Sequence, residues 1–396
     1  MAGKIELANE NICTGCSVCS DICPFGCITM AKNNEGFLYP KINYSECIAC
    51  KKCMKVCPAL NTLPENDIKQ LYVARMKDEK KLHKSTSGGL FQVIAEKIIE
   101  KNGVVFGATF DETFLLFHKE CRYVKDLDGF MGSKYLQSNT EGIYKLVYEI
   151  SKRDKDVFFT GTPCQCDALK HYFLVRNGCV PDNVVLCELM CHGVSSPGVF
   201  EKYISYLNKK YKGEICNYNF RYKKPSGFKS GWENMNIRID YIKGKNIKTD
   251  IHRSKYDAWH FWFGEHFSVR KSCFNCKYRT LERVSDLTIG DFWKIKKVIP
   301  DLDITNGISA VFVNTIKGKD ILEECSNQLL YKEIELDKIH DLFKVPICKD
   351  SVMCPSQREQ FFKIYNEGGI KELIKKFSPD NYITAIIKKI KWMVKR

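Results

Sequence analysis

The stretches "CTGCSVCSDICP" (Cys13–Pro24) and "CIACKKCMKVCP" (Cys47–Pro58) decide how the front of this chain folds. Each spaces its cysteines C-x2-C-x2-C-x3-C-P, in which three closely spaced thiolates wrap one face of a cubane iron-sulfur cluster. The fourth cysteine points away at the start of a helix and reaches the neighbouring cluster. The pattern predicts one 4Fe-4S cluster on Cys13, Cys16, Cys19 and Cys57, and a second on Cys47, Cys50, Cys53 and Cys23. Zinc wants four ligands per ion in two spaced pairs, which cysteine triplets do not offer. Between the cassettes, "ITMAKNNEGFLYPKIN" reads as strand, polar turn at Asn33–Gly36 and strand. Cys27 falls outside the repeat and reads as a packing thiol.

The whole chain has 396 residues and 21 cysteines, 62 Lys plus Arg against 47 Asp plus Glu, and a formal net charge of +15. Its first residues, "MAGKIELANE", lack the apolar run of a secretory signal, so a cytoplasmic setting is expected, where such cysteines serve as metal ligands or catalytic thiols. The basic residues are scattered, which predicts a solvated surface and no nucleic-acid footprint. A positive field also suits anionic cofactors.

A first domain over 1–62 is expected to be a two-cluster ferredoxin-type module. "ALNTLPENDIKQ" is a polar connector, and "LYVARMK" from Leu71 opens a larger domain in which strands alternate with helices. The fold class expected is therefore α+β or mixed α/β: a small ferredoxin-like domain followed by a larger mixed α/β domain. The latter divides into portions 71–200 and 201–345, the second β-rich, with a basic helical tail over 346–396. In that tail "YITAIIKKIKWMVKR" fits either an anionic membrane surface or a docked terminal helix.

Within the larger domain, "STSGG" (85–89) precedes a helix and reads as an anion-binding loop or an ordinary N-terminal turn. "GSKYLQS" (132–138) is a polar loop. "TGTPCQC" delivers Cys164 into a turn at the end of a strand, "CELMCHG" places Cys191 in the equivalent position, and "SCFNC" supplies Cys273 and Cys276. Spacing alone leaves a third cluster, a structural zinc and a redox disulfide all open. His192 sits where it can shuttle a proton, whereas His252, His260 and His266 lie in an aromatic stretch that lines core or pocket. Cys121, Cys179, Cys216, Cys325, Cys348 and Cys354 read as buried small hydrophobes.

Taken in order, "STSGG", "GSKYLQS", "GTPCQ", "CHGVSSP" and "SCFNCKYRTLERVSDLTIGDFW" resemble the family of beta subunits of coenzyme F420 hydrogenase/dehydrogenase, from about Leu71 to beyond Trp293. The family includes forms with a two-cluster ferredoxin module fused in front. The resemblance implies an iron-sulfur flavoprotein, with FAD and a third 4Fe-4S cluster together in the larger domain. It implies Cys164, Cys191, Cys273 and Cys276 as ligands of that cluster. Ser87, Gly88, Gly89, Ser133, Lys134, Gln137, Ser138, Thr162 and Gln165 would surround the flavin, and Asp286 and Asp291 would position the cluster loop or the flavin. The activity implied is passage of electrons between the front clusters, the third cluster and FAD, to or from an organic substrate, a deazaflavin or a polysaccharide-pathway metabolite. An electron donor or acceptor protein such as ferredoxin is the implied partner. Two rival readings are an electron-carrier subunit of a larger complex with no substrate of its own, and a zinc-stabilised interaction protein.

Overall fold

A computed structural model describes residues 5–379 apart from 154, 225, 228–229, 339–341 and 344–351. The basic segment beyond Tyr382 and Cys348 therefore lie outside the described residues. Among the described residues, no helix is long and apolar enough to cross a membrane.

The front module forms as the cassettes require. Strands β1 (Ile28–Lys32) and β2 (Leu38–Ile42) pair antiparallel, with Ile28 opposite Ile42 and Lys32 opposite Leu38. Each cassette closes with a one-turn helix, Val18–Asp21 and Lys52–Lys55, entered through a left-handed residue, Ser17 (φ 64°) and Lys51 (φ 60°). Gly15 (φ 66°) also needs its missing side chain, because a Cβ there would run into the Gln137 side chain, the Leu38 carbonyl and the Arg270 guanidinium.

The larger domain is built on an eight-stranded sheet. Its strands are β3 (Gln70–Met76), β4 (Val104–Phe110), β5 (Leu116–Cys121), β6 (Val157–Gly161), β7 (Val184–Leu189), β11 (Leu287–Asp291), β12 (Ser309–Val313) and β13 (Leu329–Ile334). The order is β13-β3-β12-β11-β7-β6-β4-β5. β4, β6, β7 and β11 are parallel neighbours, while β5 and the β12-β3-β13 group run antiparallel to theirs. The parallel strands "VFFTG" and "VVLCE" are buried residue after residue, because both faces are covered. A separate three-stranded sheet holds β8 (Glu214–Tyr222), β9 (Asn236–Lys243) and β10 (Asn246–Arg253), the β-rich addition expected. Residue 200 marks no break in the main sheet: β3 from the front portion lies between β12 and β13 from the back one.

The front module is packed into this body. Val18, Cys19 and Ile22 share one apolar core with Tyr144, Phe159 and Cys166. Asp21 accepts hydrogen bonds from the Gly142 and Tyr144 amides at 2.6 and 2.9 Å, at the N-terminus of the helix Ile143–Ser151. Arg270, fully buried, donates from Nε to the Cys13 carbonyl (2.9 Å), from Nη1 to Gln137 Oε1 (3.0 Å) and from Nη2 to the Leu38 carbonyl (3.1 Å). Arg358, on the helix Arg358–Glu367, clamps both oxygens of Glu35 at 2.8 and 2.6 Å.

Candidate functional site

Three groups of thiols gather. Cys13, Cys16, Cys19 and Cys57 line one small cavity, and burial, reinforced by neighbouring thiols, pushes Cys16 and Cys19 well up from their ordinary range. Cys23, Cys47, Cys50 and Cys53 line a second. At its rim Cys50, Lys51 and Lys52 are exposed. Cys27 shares this second cavity, with its sulfur 3.3 Å from that of Cys23, and burial pushes it up to about 12. It is buried, as a packing thiol should be, yet it also faces the cage, which its place outside the repeat gave no means of seeing.

The third group comes from three separate segments. Cys164 opens the helix Pro163–Asn177 directly after β6, and Cys191 follows β7. Cys273 ends a short turn, with Cys276 three residues on. Burial pushes Cys164 up to about 12 and Cys273 up to about 11, and each also feels repulsion from Cys276. Cys191 is raised by burial and then by Cys273, Cys164 and Cys276. All four are half-buried thiols whose ionisation burial opposes, and a cationic centre among them would favour the thiolate form. Among the described residues no three His, Cys, Asp or Glu side chains stand close enough to hold a single metal ion. Thiolates around a cubane stand further apart than the ligands of one ion. Tyr144 and Tyr278 each lie in the field of both Cys16 and Cys164, so the first and third groups face one another across the module boundary.

Beside the third group opens a cavity of about 730 Å³, at the carboxyl ends of β6, β7 and β11 where ligands of α/β sheets gather. Cys191 and His192 line it, and burial lowers the His192 imidazole. Of the residues expected around a flavin, Ser87, Gly89, Ser133, Lys134, Ser138, Thr162 and Gln165 line this cavity. Two do not. The Gly88 amide donates to Ser309 Oγ (2.9 Å) and its carbonyl accepts from Met76, so it braces the loop from behind. Gln137 turns to the front module, donating to the Gly15 and Thr14 carbonyls at 3.1 and 3.3 Å.

A chain of hydrogen bonds joins the third thiol group to the cavity wall. The Thr162 hydroxyl lies 3.1 Å from the Cys164 sulfur and donates to Gln165 Oε1 (3.1 Å); Gln165 Nε2 donates to Ser138 Oγ (2.8 Å). Ser138 Oγ meets His118 Nδ1 at 3.0 Å, and His118 Nε2 stands 2.9 Å from the Thr160 carbonyl. A carbonyl accepts only, so Nε2 carries the proton and Nδ1 accepts from Ser138. Burial drives His118 down to about 4, which keeps it neutral. The Lys134 ammonium is held by the Phe130, Met131 and Gly132 carbonyls at 3.0, 3.0 and 3.3 Å, and burial drives it down to about 7.

Several sequence expectations divide here. Asp291 lines the cavity, whereas Asp286 braces the sheet, accepting from the Leu186 amide (2.8 Å) and Thr315 Oγ1 (2.7 Å). His260 lines the cavity, while His252 pairs with Asp250 and Asp257. Cys121 and Cys325 are buried as expected, but Cys179, Cys216 and Cys354 are exposed: lack of a partner spacing does not encode burial. Missed entirely was Arg221 on the cavity wall, which belongs to no spaced motif; Tyr135 and Trp293 lie within "GSKYLQS" and "SDLTIGDFW" but were given no role of their own. Only the richness of "AWHFWFG" in aromatic side chains hinted at part of that wall.

The thiol cages and the doubly covered sheet define an iron-sulfur protein with a front dicluster module fused to a mixed α/β domain. Residues 12–61 and 39–90 match 4Fe-4S dicluster domain families, and residues 154–339 match the family described as the C terminus of the coenzyme F420 hydrogenase/dehydrogenase beta subunit. The resemblance read from the sequence is thus borne out: a 4Fe-4S dicluster module stands in front of a segment that matches the C-terminal model of the coenzyme F420 hydrogenase/dehydrogenase beta subunits. It is 24% identical over 198 residues to the F subunit of F(420)H(2) dehydrogenase from Methanosarcina mazei, covering 47% of this chain and 55% of that relative's length. A structure of the F420-reducing [NiFe] hydrogenase complex from Methanosarcina barkeri contains a chain 18% identical to this one, with a TM-score of 0.47, over 72% of this chain and 91% of that one.

Proposed function

We propose that this chain is an iron-sulfur flavoprotein oxidoreductase, with Cys13, Cys16, Cys19 and Cys57, Cys47, Cys50, Cys53 and Cys23, and Cys164, Cys191, Cys273 and Cys276 as the ligands of three 4Fe-4S clusters, and with FAD in the large cavity. The observation that carries this reading is the contact between the third thiol group and the cavity, since Cys191 belongs to both. The cavity's volume of about 730 Å³ fits a cofactor with a substrate beside it. When bound, the clusters move single electrons and the flavin pairs them for two-electron exchange with an organic substrate. The chain's own residues orient, insulate and tune. The Thr162 hydroxyl steadies the Cys164 sulfur, neutral His118 holds Ser138 and Gln165 in register, and Tyr135 and Phe263, stacked at 4.8 Å, form an apolar wall that excludes water. The names of the relatives favour a deazaflavin of the F420 type as the substrate.

Anaerobic purification followed by iron and flavin quantification tests the reading. About twelve irons and one FAD per chain are expected from three cubane clusters. About eight irons without flavin would instead identify an electron-carrier subunit with no substrate site of its own.

A further inference from the structure

The large cavity has a one-sided charge. Lys134, Arg221, Lys255 and Lys294 line it against a single acid, Asp291. Arg221 is buried within an irregular stretch of β8, where the register on β9 slips between Asn219 and Tyr222. Its Nη1 donates to Asp291 Oδ2 (2.8 Å) and to the Tyr135 hydroxyl (3.1 Å), and its plane lies 4.8 Å from the Trp293 ring. Nη2, also buried, has no partner among the described residues. His260 lies in the field of Arg221 and packs edge-on against Tyr135 at 5.5 Å, and neither of its buried ring nitrogens has a partner among the described residues. A buried guanidinium nitrogen left unbonded costs free energy, and so do two imidazole nitrogens, unless something polar completes them.

Resting on the oxidoreductase reading above, we infer that Arg221 and His260 form an anion subsite that binds a phosphoryl or carboxylate group of the organic substrate. Asp291 and Tyr135 hold the guanidinium through Nη1 and Trp293 covers its face, which leaves Nη2 for an oxygen of the ligand. His260 supplies one N–H to the same group. Asp291 has a second effect: it offsets the charge of Arg221, so selectivity comes from the fixed hydrogen-bond fork more than from net attraction. The anion could in principle belong to the substrate or to the diphosphate of the flavin, and these two sources are separable.

The test uses the holoprotein and two probes, 5-deazariboflavin and its 5′-phosphate, as electron acceptors after anaerobic reduction. The phosphorylated probe should show the lower KM. Arg221→Gln should shrink the KM ratio roughly tenfold to a hundredfold, the loss expected for a hydrogen bond to a charged group. Arg221→Lys, which keeps the charge but not the fork, should restore little of it. Iron and FAD contents read folding and flavin loading in the same samples. An unchanged ratio in a loaded variant overturns the inference, and so does loss of FAD with the ratio intact, which would assign the guanidinium to the flavin. If neither probe is turned over by the parent protein, the oxidoreductase reading with a deazaflavin fails, but a second readout still decides the subsite. Inorganic phosphate should then change Trp293 fluorescence in the parent and not in Arg221→Gln; no change in the parent overturns it.

Discussion

Replacing Arg270 with methionine should loosen the front module from the main domain. Arg270 is fully buried; three of its hydrogen bonds, at 2.9, 3.0 and 3.1 Å, run to the Cys13 and Leu38 carbonyls of the front module and to Gln137, and a fourth, longer one runs from Nη2 to the Cys13 sulfur at 3.9 Å. Gln137 Oε1 keeps the Leu38 amide as a donor at 3.3 Å, so the carbonyls of Cys13 and Leu38 bear most of the loss. Hydrogen bonds to charged groups contribute about 1.5–3 kcal/mol each, so two of them set the cost at roughly 3–6 kcal/mol. Methionine keeps the apolar stem against Tyr39, over which the guanidinium lies at 3.9 Å, and this places the expected loss near ~4 kcal/mol. Lysine at this position reaches one acceptor at a time and should recover less than half. The assay is anaerobic denaturant unfolding followed by visible iron-sulfur absorbance, with trypsin cleavage in the 59–70 connector as a second probe. A change under about 1 kcal/mol together with unchanged cleavage would refute the docking role assigned to this residue.

Once Cys164 is a thiolate, the Thr162 hydroxyl turns its single proton from Gln165 Oε1, which keeps the Thr162 amide as donor at 2.9 Å, to the sulfur 3.1 Å away, so Thr162→Val should make the third cluster harder to reduce. A hydrogen bond of about 1 kcal/mol to sulfur favours the more negative, reduced state, and its loss corresponds to roughly 40 mV toward lower potential in a redox titration; no shift would exclude that contact. His118, driven from 6.5 to about 4 by burial, stabilises the fold fully above pH 6.5 and opposes it as pH falls toward 4. The difference, about 2.5 pH units, sets a ceiling of roughly 3 kcal/mol, and His118→Gln should flatten that part of an anaerobic pH-stability profile. Cys276→Ser should remove about a third of the iron while leaving the electron paramagnetic resonance signals of the front clusters in place; full retention of iron would remove Cys276 from the ligand set.

The front module was legible because a cubane imposes its geometry on residues close in sequence, so spacing alone encodes the cage. The third thiol group was legible only in its parts. Cys164 and Cys191 could be placed at strand ends, but their approach to Cys273 and Cys276 depends on β11 lying beside β7, a pairing that no local pattern states. Gln137 shows the opposite failure: it sits in a polar loop between two cavity-lining neighbours, Leu136 and Ser138, and alternation turns it to the other side and against the front module. Arg221 left no trace in the sequence, since its position is set by a bulge and by partners far along the chain.

The clamp between Glu35 and Arg358 joins residues 323 positions apart. The cassettes therefore leave the ribosome well before they are fully seated, because their anchor has still to be synthesised. Until Tyr144, Phe159 and Cys166 have followed, the apolar face of Val18 and Ile22 has no cover, and until Arg358 has followed, Glu35 has no clamp. Cluster insertion has its easiest access in that window and oxidants do too, so the rate of elongation sets how long the front of the protein remains vulnerable.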